Sequence, residues 1–97
     1  MDTYKITELE TKFCEHIPDL ISEGVLYVSL FFEIAIHLCP CGCGNQSVTP
    51  FDTDFNLDNG WDIKIDSDKV TFTPSILNNN CPNKAHYYIT DGKIIKI

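Results

Sequence analysis

The chain has no arginine, and its seven lysines face fourteen carboxylates, for a formal net charge of −7 over 97 residues. Nucleic-acid binding relies on a basic stripe aimed at phosphates, and none is present. That absence excludes DNA and RNA as expected partners, and the acidic balance points to basic ones. Long apolar runs are missing too. The most apolar stretch, Val25 to Leu38, is interrupted by Ser29 and Glu33 and is too short to span a bilayer. The start, Met1-Asp2-Thr3-Tyr4-Lys5, has neither the charged nor the apolar part of a signal peptide. A cytoplasmic protein with no membrane association is expected.

Cysteine is what the chain does have. There are five, an odd number, and three of them fall in Cys39-Pro40-Cys41-Gly42-Cys43-Gly44. They are packed too closely for ordinary mutual disulfides, which favours metal binding in a reducing compartment. Cys81 lies well downstream and is followed by His86. Thiolate and imidazole suit the same soft or borderline ions. Cys39, Cys41, Cys43, Cys81 and His86 are therefore the candidate ligands of a Zn2+ ion, with His37 as an outside choice. Structural zinc takes four ligands, so at least one candidate is spare. The favoured set joins Cys81 and His86 to part of the Cys39–Cys43 group. Gly42 and Gly44 let the backbone curl around an ion. An iron–sulfur cluster and a redox dithiol are alternatives for the same thiols. Cys14 reads as a small buried hydrophobe and His16 as surface.

Periodicity predicts a mainly β chain. The expected fold is one small antiparallel β domain over residues 1–97, stapled by zinc, with at most one short N-terminal helix in the segment 1–24. Leu9, Phe13 and Ile17 recur at a spacing of four, which fits that helix, stopped by Pro18; an extended strand is the alternative. Residues 25–38 read as one long strand, or two with a bend near Phe31–Glu33. Val48–Phe51, Trp61–Ile65 and Val70–Thr73 read as further strands, with proline at 74 ending the last. His86–Thr90 and Lys93–Ile97 flank Asp91-Gly92, a two-residue hairpin signal. The acidic loop from Asp52 to Asp58 alternates like a calcium loop. It carries Leu57 and Ile63 where that motif needs glycine and glutamate, so it reads as a solvated loop. Ser75 follows Pro74 without a Gly-X-Ser-X-Gly elbow, and no Ser-His-Asp set is assigned.

His37-Leu38-Cys39-Pro40-Cys41-Gly42-Cys43-Gly44 resembles the core of a small bacterial family of zinc-binding proteins. So do Gly24–Ser29, Val48-Thr49-Pro50, Trp61, Thr73-Pro74-Ser75-Ile76 and Cys81 with His86–Ile89. The resemblance covers roughly residues 12–97. It implies a gene context of ubiquitin-like modifiers and their E1/E2-type conjugation enzymes; some members carry the label of ammonia monooxygenase. The function it favours is a structural-zinc protein-interaction module, an accessory of a ubiquitin-like conjugation system, whose partner is the modifier or its conjugation enzymes. The alternative is a zinc-dependent hydrolase or deaminase-like enzyme. That needs an open coordination position and a general base. Only Glu33 lies near the first cluster, and no deaminase signature is present.

Overall fold

A computed structural model describes residues 4–51 and 60–97. Among them there is no helix, and so none long and apolar enough to cross a membrane. The acidic calcium-like loop, residues 52–58, lies outside the described residues. Eight strands run in chain order: β1 Glu10–Phe13, β2 Val25–Ser29, β3 Ile34–Leu38, β4 Gln46–Pro50, β5 Asp62–Asp66, β6 Lys69–Leu77, β7 His86–Thr90 and β8 Lys93–Lys96. They form two four-stranded sheets, β1-β2-β3-β4 and β5-β6-β7-β8. Every pairing is antiparallel except β1 on β2. The mainly β expectation holds.

The apolar alternation that marks the strands also builds the core. Leu26, Val28 and Ala35 come from the first sheet; Val70, Phe72, Ile76, Tyr87, Ile89 and Ile94 come from the second. Both groups belong to one buried cluster. Two segments tie the sheets together. Leu9 N–H donates to Gly92 O and Ile94 N–H to Thr7 O, while Phe51 bridges to Trp61.

The structure departs from the sequence reading in two places. Leu9 and Phe13 do not share a helix face. Glu10–Phe13 pairs in parallel with Val25–Val28, and Phe13 is exposed where Leu9 is buried. The spacing of four is satisfied by a strand flanked by turns, because tertiary pairing overrides a short local pattern. The second departure is Pro74. It does not end its strand: β6 continues through it to Leu77. Phe72 pairs with Ile89 and Ile76 with Tyr87, so four steps along β6 match two along β7. Pro74 lies in this bulge, where a missing N–H costs no ladder bond. The long run 25–38 resolves into β2 and β3 around a turn at Leu30–Glu33. At Asp91-Gly92 both residues have positive φ, 50° and 77°, as a tight right-twisting hairpin requires.

Candidate active site and metal centre

Two turns face one another across the cysteine cluster. The first leaves β3. Cys39 N–H donates to Asn45 O at 2.8 Å, and Gly42 N–H donates to Cys39 O at 3.1 Å. Gly42 has φ 91°, and a Cβ there would meet the Lys5 side chain at 3.2 Å. The loop curls as tightly as it does because this residue is glycine. The second turn follows β6. Cys81 N–H donates to Asn78 O at 3.1 Å, Lys84 N–H to Cys81 O at 2.9 Å, and Asn78 N–H to Ala85 O at 2.9 Å.

These turns bring four of the predicted ligands together. The Sγ atoms of Cys39, Cys41, Cys43 and Cys81 all lie within 4.8 Å of one another. Cys39 and Cys41 are 3.4 Å apart, and Cys41 and Cys81 3.2 Å. Four sulfurs tetrahedral about zinc would be about 3.8 Å apart, given a Zn–S length near 2.3 Å. Number, chemistry and spacing of the donors therefore fit a closed metal site. Asn45 steadies the turns by donating Nδ2 to Cys43 Sγ at 3.3 Å and to Asn80 O at 2.9 Å.

The thiols differ in acidity. Burial pushes Cys39 up, to about 12, over hydrogen bonds from the Cys41 backbone and the Asn78 side chain. Burial acts the same way on Cys81, but hydrogen bonds from the Ala85 backbone, the Cys41 side chain and the Asn83 backbone prevail and bring it down to about 6. Burial thus opposes thiolate charge at Cys39, while the turn's hydrogen bonds favour it at Cys81. A bound cation would offset the cost of thiolate charge at Cys39.

His37, the outside choice, is elsewhere. It is fully buried, and burial pushes its imidazole down, to about 4, so it is neutral at pH 7. Its Nε2 lies 2.6 Å from the Tyr87 hydroxyl. Asn78 Nδ2 donates to the same hydroxyl at 3.0 Å. The direction of the His37–Tyr87 bond is set by the imidazole tautomer, and His37 Nδ1 is buried with no hydrogen-bond partner among the described residues. Asn78 also touches Cys39. A buried polar chain therefore runs from the sulfur cluster through Asn78 to Tyr87.

His86 lies outside the four-sulfur group. Its Nε2 is 2.9 Å from Ser75 Oγ. The pleat explains the meeting. Leu77 pairs with His86, so their side chains share one side of the sheet. Ser75, two residues back along β6, projects to that same side. The opposite side carries Ile76 and Tyr87, both buried in the core. Ser75 and His86 are half-buried on the outer face, reachable from solvent.

Both are held from behind. Trp61 Nε1 donates to Ser75 O at 3.2 Å. The Tyr4 hydroxyl accepts from His86 N–H at 3.1 Å and donates to His86 O at 3.3 Å. A serine hydroxyl within hydrogen-bond reach of an imidazole is the geometry of an activated nucleophile and its base. Ser75 carries no elbow motif to announce it in the sequence. The only local signal was the segment Thr73-Pro74-Ser75-Ile76 within the family resemblance.

A family model described as "Bacterial ubiquitination-like system serine protease (BubE)" matches residues 13–97. The match spans nearly the whole chain, and the chain belongs to that family. Comparisons with curated proteins and with solved structures gave no match.

Proposed function

As a member of the BubE family, this chain carries, we propose, a serine-hydrolase centre in which Ser75 is the nucleophile and His86 the general base. The carrying observation is the 2.9 Å contact between Ser75 Oγ and His86 Nε2 on an accessible sheet face. Ser75 Oγ attacks a scissile carbonyl while His86 Nε2 takes its proton. The tetrahedral intermediate collapses as His86 returns that proton to the leaving amine or alkoxide. The acyl group is left as an ester on Ser75. Water, deprotonated by His86, then attacks this ester. Ser75 regains the proton and the acyl part leaves as a carboxylate. Substrates are proteins of the ubiquitination-like system, the modifier or its conjugates foremost.

The four cysteines hold a structural Zn2+ in this reading. An all-sulfur, four-donor set leaves no open position for water, which argues against a catalytic zinc. Zinc supplies no chemistry to the reaction; the residues around it keep the β3–β4 turn against the β6–β7 turn. His86, adjacent to Tyr87, inherits its placement from that anchorage.

The test is labelling of the purified, metal-loaded chain with a fluorophosphonate, followed by intact mass and peptide mapping. One phosphonyl adduct at Ser75 is expected, absent in Ser75→Ala and strongly slowed in His86→Gln. Labelling at another residue, or none, would discard the assignment.

A further inference from the structure

The outer face of the second sheet is not uniform. Strand register sorts it into rows of side chains. Leu77 pairs with His86, and Ile97 follows on the far side, its N–H bonded to His86 O at 3.1 Å. The next row holds Ser75, then Tyr88 paired with Ile95. Beyond lies a polar row, with Thr90 paired to Lys93.

Four large apolar side chains therefore surround the serine–histidine pair, and they are open to solvent: Leu77 48 %, Tyr88 43 %, Ile95 47 % and Ile97 57 % exposed. On a face otherwise carrying Thr71, Thr73, Thr90 and Lys93, apolar residues are confined to the two rows that hold the pair. An exposed apolar patch of this kind marks a surface that is covered in use.

The occupant follows from the chemistry. A reacting carbonyl must come within about 3–3.5 Å of Ser75 Oγ. The chain on either side of that carbonyl must then lie over these same two rows. We propose that Leu77, Tyr88, Ile95 and Ile97 form the substrate-recognition surface of the centre, and that it selects a polypeptide segment with an apolar side chain beside the scissile carbonyl. This rests on the assignment of Ser75 and His86. Water is excluded when such a side chain covers Leu77 and Ile95, and a polar one forfeits that contact.

The test uses N-acetyl-dipeptide p-nitrophenyl esters that end in leucine, phenylalanine, serine or aspartate, with the metal-loaded full chain as enzyme and Ser75→Ala as blank. The expected wild-type kcat/KM for leucine and phenylalanine esters exceeds that for serine and aspartate esters about tenfold or more, the usual scale of apolar-pocket discrimination. Leu77→Gln and Ile95→Gln should bring the ratio down towards one, and Leu77→Met should keep it. Fluorophosphonate labelling of Ser75 runs in parallel on every variant and should change little, because that small probe does not span the patch. Equal rates for all four esters in the wild type overturn the proposal. So does a uniform fall in Leu77→Gln and Ile95→Gln with the ratio kept. Absence of labelling at Ser75 in the wild type removes the assignment beneath it, a distinct outcome that overturns both.

Discussion

The sulfur cluster and the Ser75–His86 pair are neighbours along the chain but opposites in construction. The cluster draws three residues from the turn after β3 and one from the turn after β6, so it joins the two sheets. Cys39 and Cys81 within it are sealed from solvent. The pair comes from adjacent strands of a single sheet and faces outward. One region is closed; the other is open to solvent. The difference shows how a chain with a modest core can keep a buried cluster apart from a solvent-facing pair. Residues 78–85 divide them, since Cys81 turns inward there and His86 begins β7.

This contrast can be broken at graded strength. Cys39→Ser or Cys81→Ser should do most. Metal binding in small zinc peptides is worth about 10–16 kcal/mol, against roughly 5–15 kcal/mol for the net stability of a domain. Bound metal, measured by elemental analysis, should drop well below one per chain, and the cooperative melt should be lost. Complete chelation of the wild type should give the same result; an unchanged melting temperature after metal removal would deny the cluster a structural role.

Ser75→Ala should do the converse. Ester hydrolysis is expected to fall about a thousandfold or more, as when a serine nucleophile is removed elsewhere. Stability should stay within about 0.5 kcal/mol, because the site is only half-buried. A large loss of stability in this variant would merge the two regions that the comparison separates.

Tyr87→Phe probes the link between them. It deletes the hydroxyl that satisfies His37 Nε2 and Asn78 Nδ2. Leaving buried polar groups unpaired costs about 1–3 kcal/mol. Urea unfolding should show a loss of that size, accompanied by reduced turnover as β7 relaxes beside His86. The smallest effect is expected for Lys5→Ala. Its 2.8 Å pair with Glu23 is largely exposed and worth about 0–1 kcal/mol. A larger loss would mean that Lys5 matters through its packing on Gly42.

What could be read in the sequence follows the reach of each signal. Cys39, Cys41, Cys43 and Cys81 were legible because thiols are few and three are crowded, so their chemistry declares itself without knowledge of the fold. The strands around Asp91-Gly92 were legible because a two-residue turn is a local device. His86 was grouped with Cys81 on closeness in sequence. The face a residue takes after a turn depends on the hydrogen bonds of that turn, here Asn78 to Ala85 and Cys81 to Lys84. Ser75 was obscured for a similar reason. Its approach to His86 depends on the register shift between Phe72 and Ile76. Proline at 74 looks like a stop signal when its partner strand is unknown. The N-terminal spacing misled because three positions suit a helix or an edge strand equally well.

Tyr4 carries a practical lesson. Its hydroxyl clasps both backbone polar groups of His86, yet it precedes residue 13, where the family match begins. A clone trimmed to the matched region would keep every cysteine, Ser75 and His86, and would still lose the brace behind its imidazole. Such a shortened protein would also lose buried Leu9 and the bonds of Thr7 and Leu9 that tie the sheets, so it should melt earlier as well as turn over slowly.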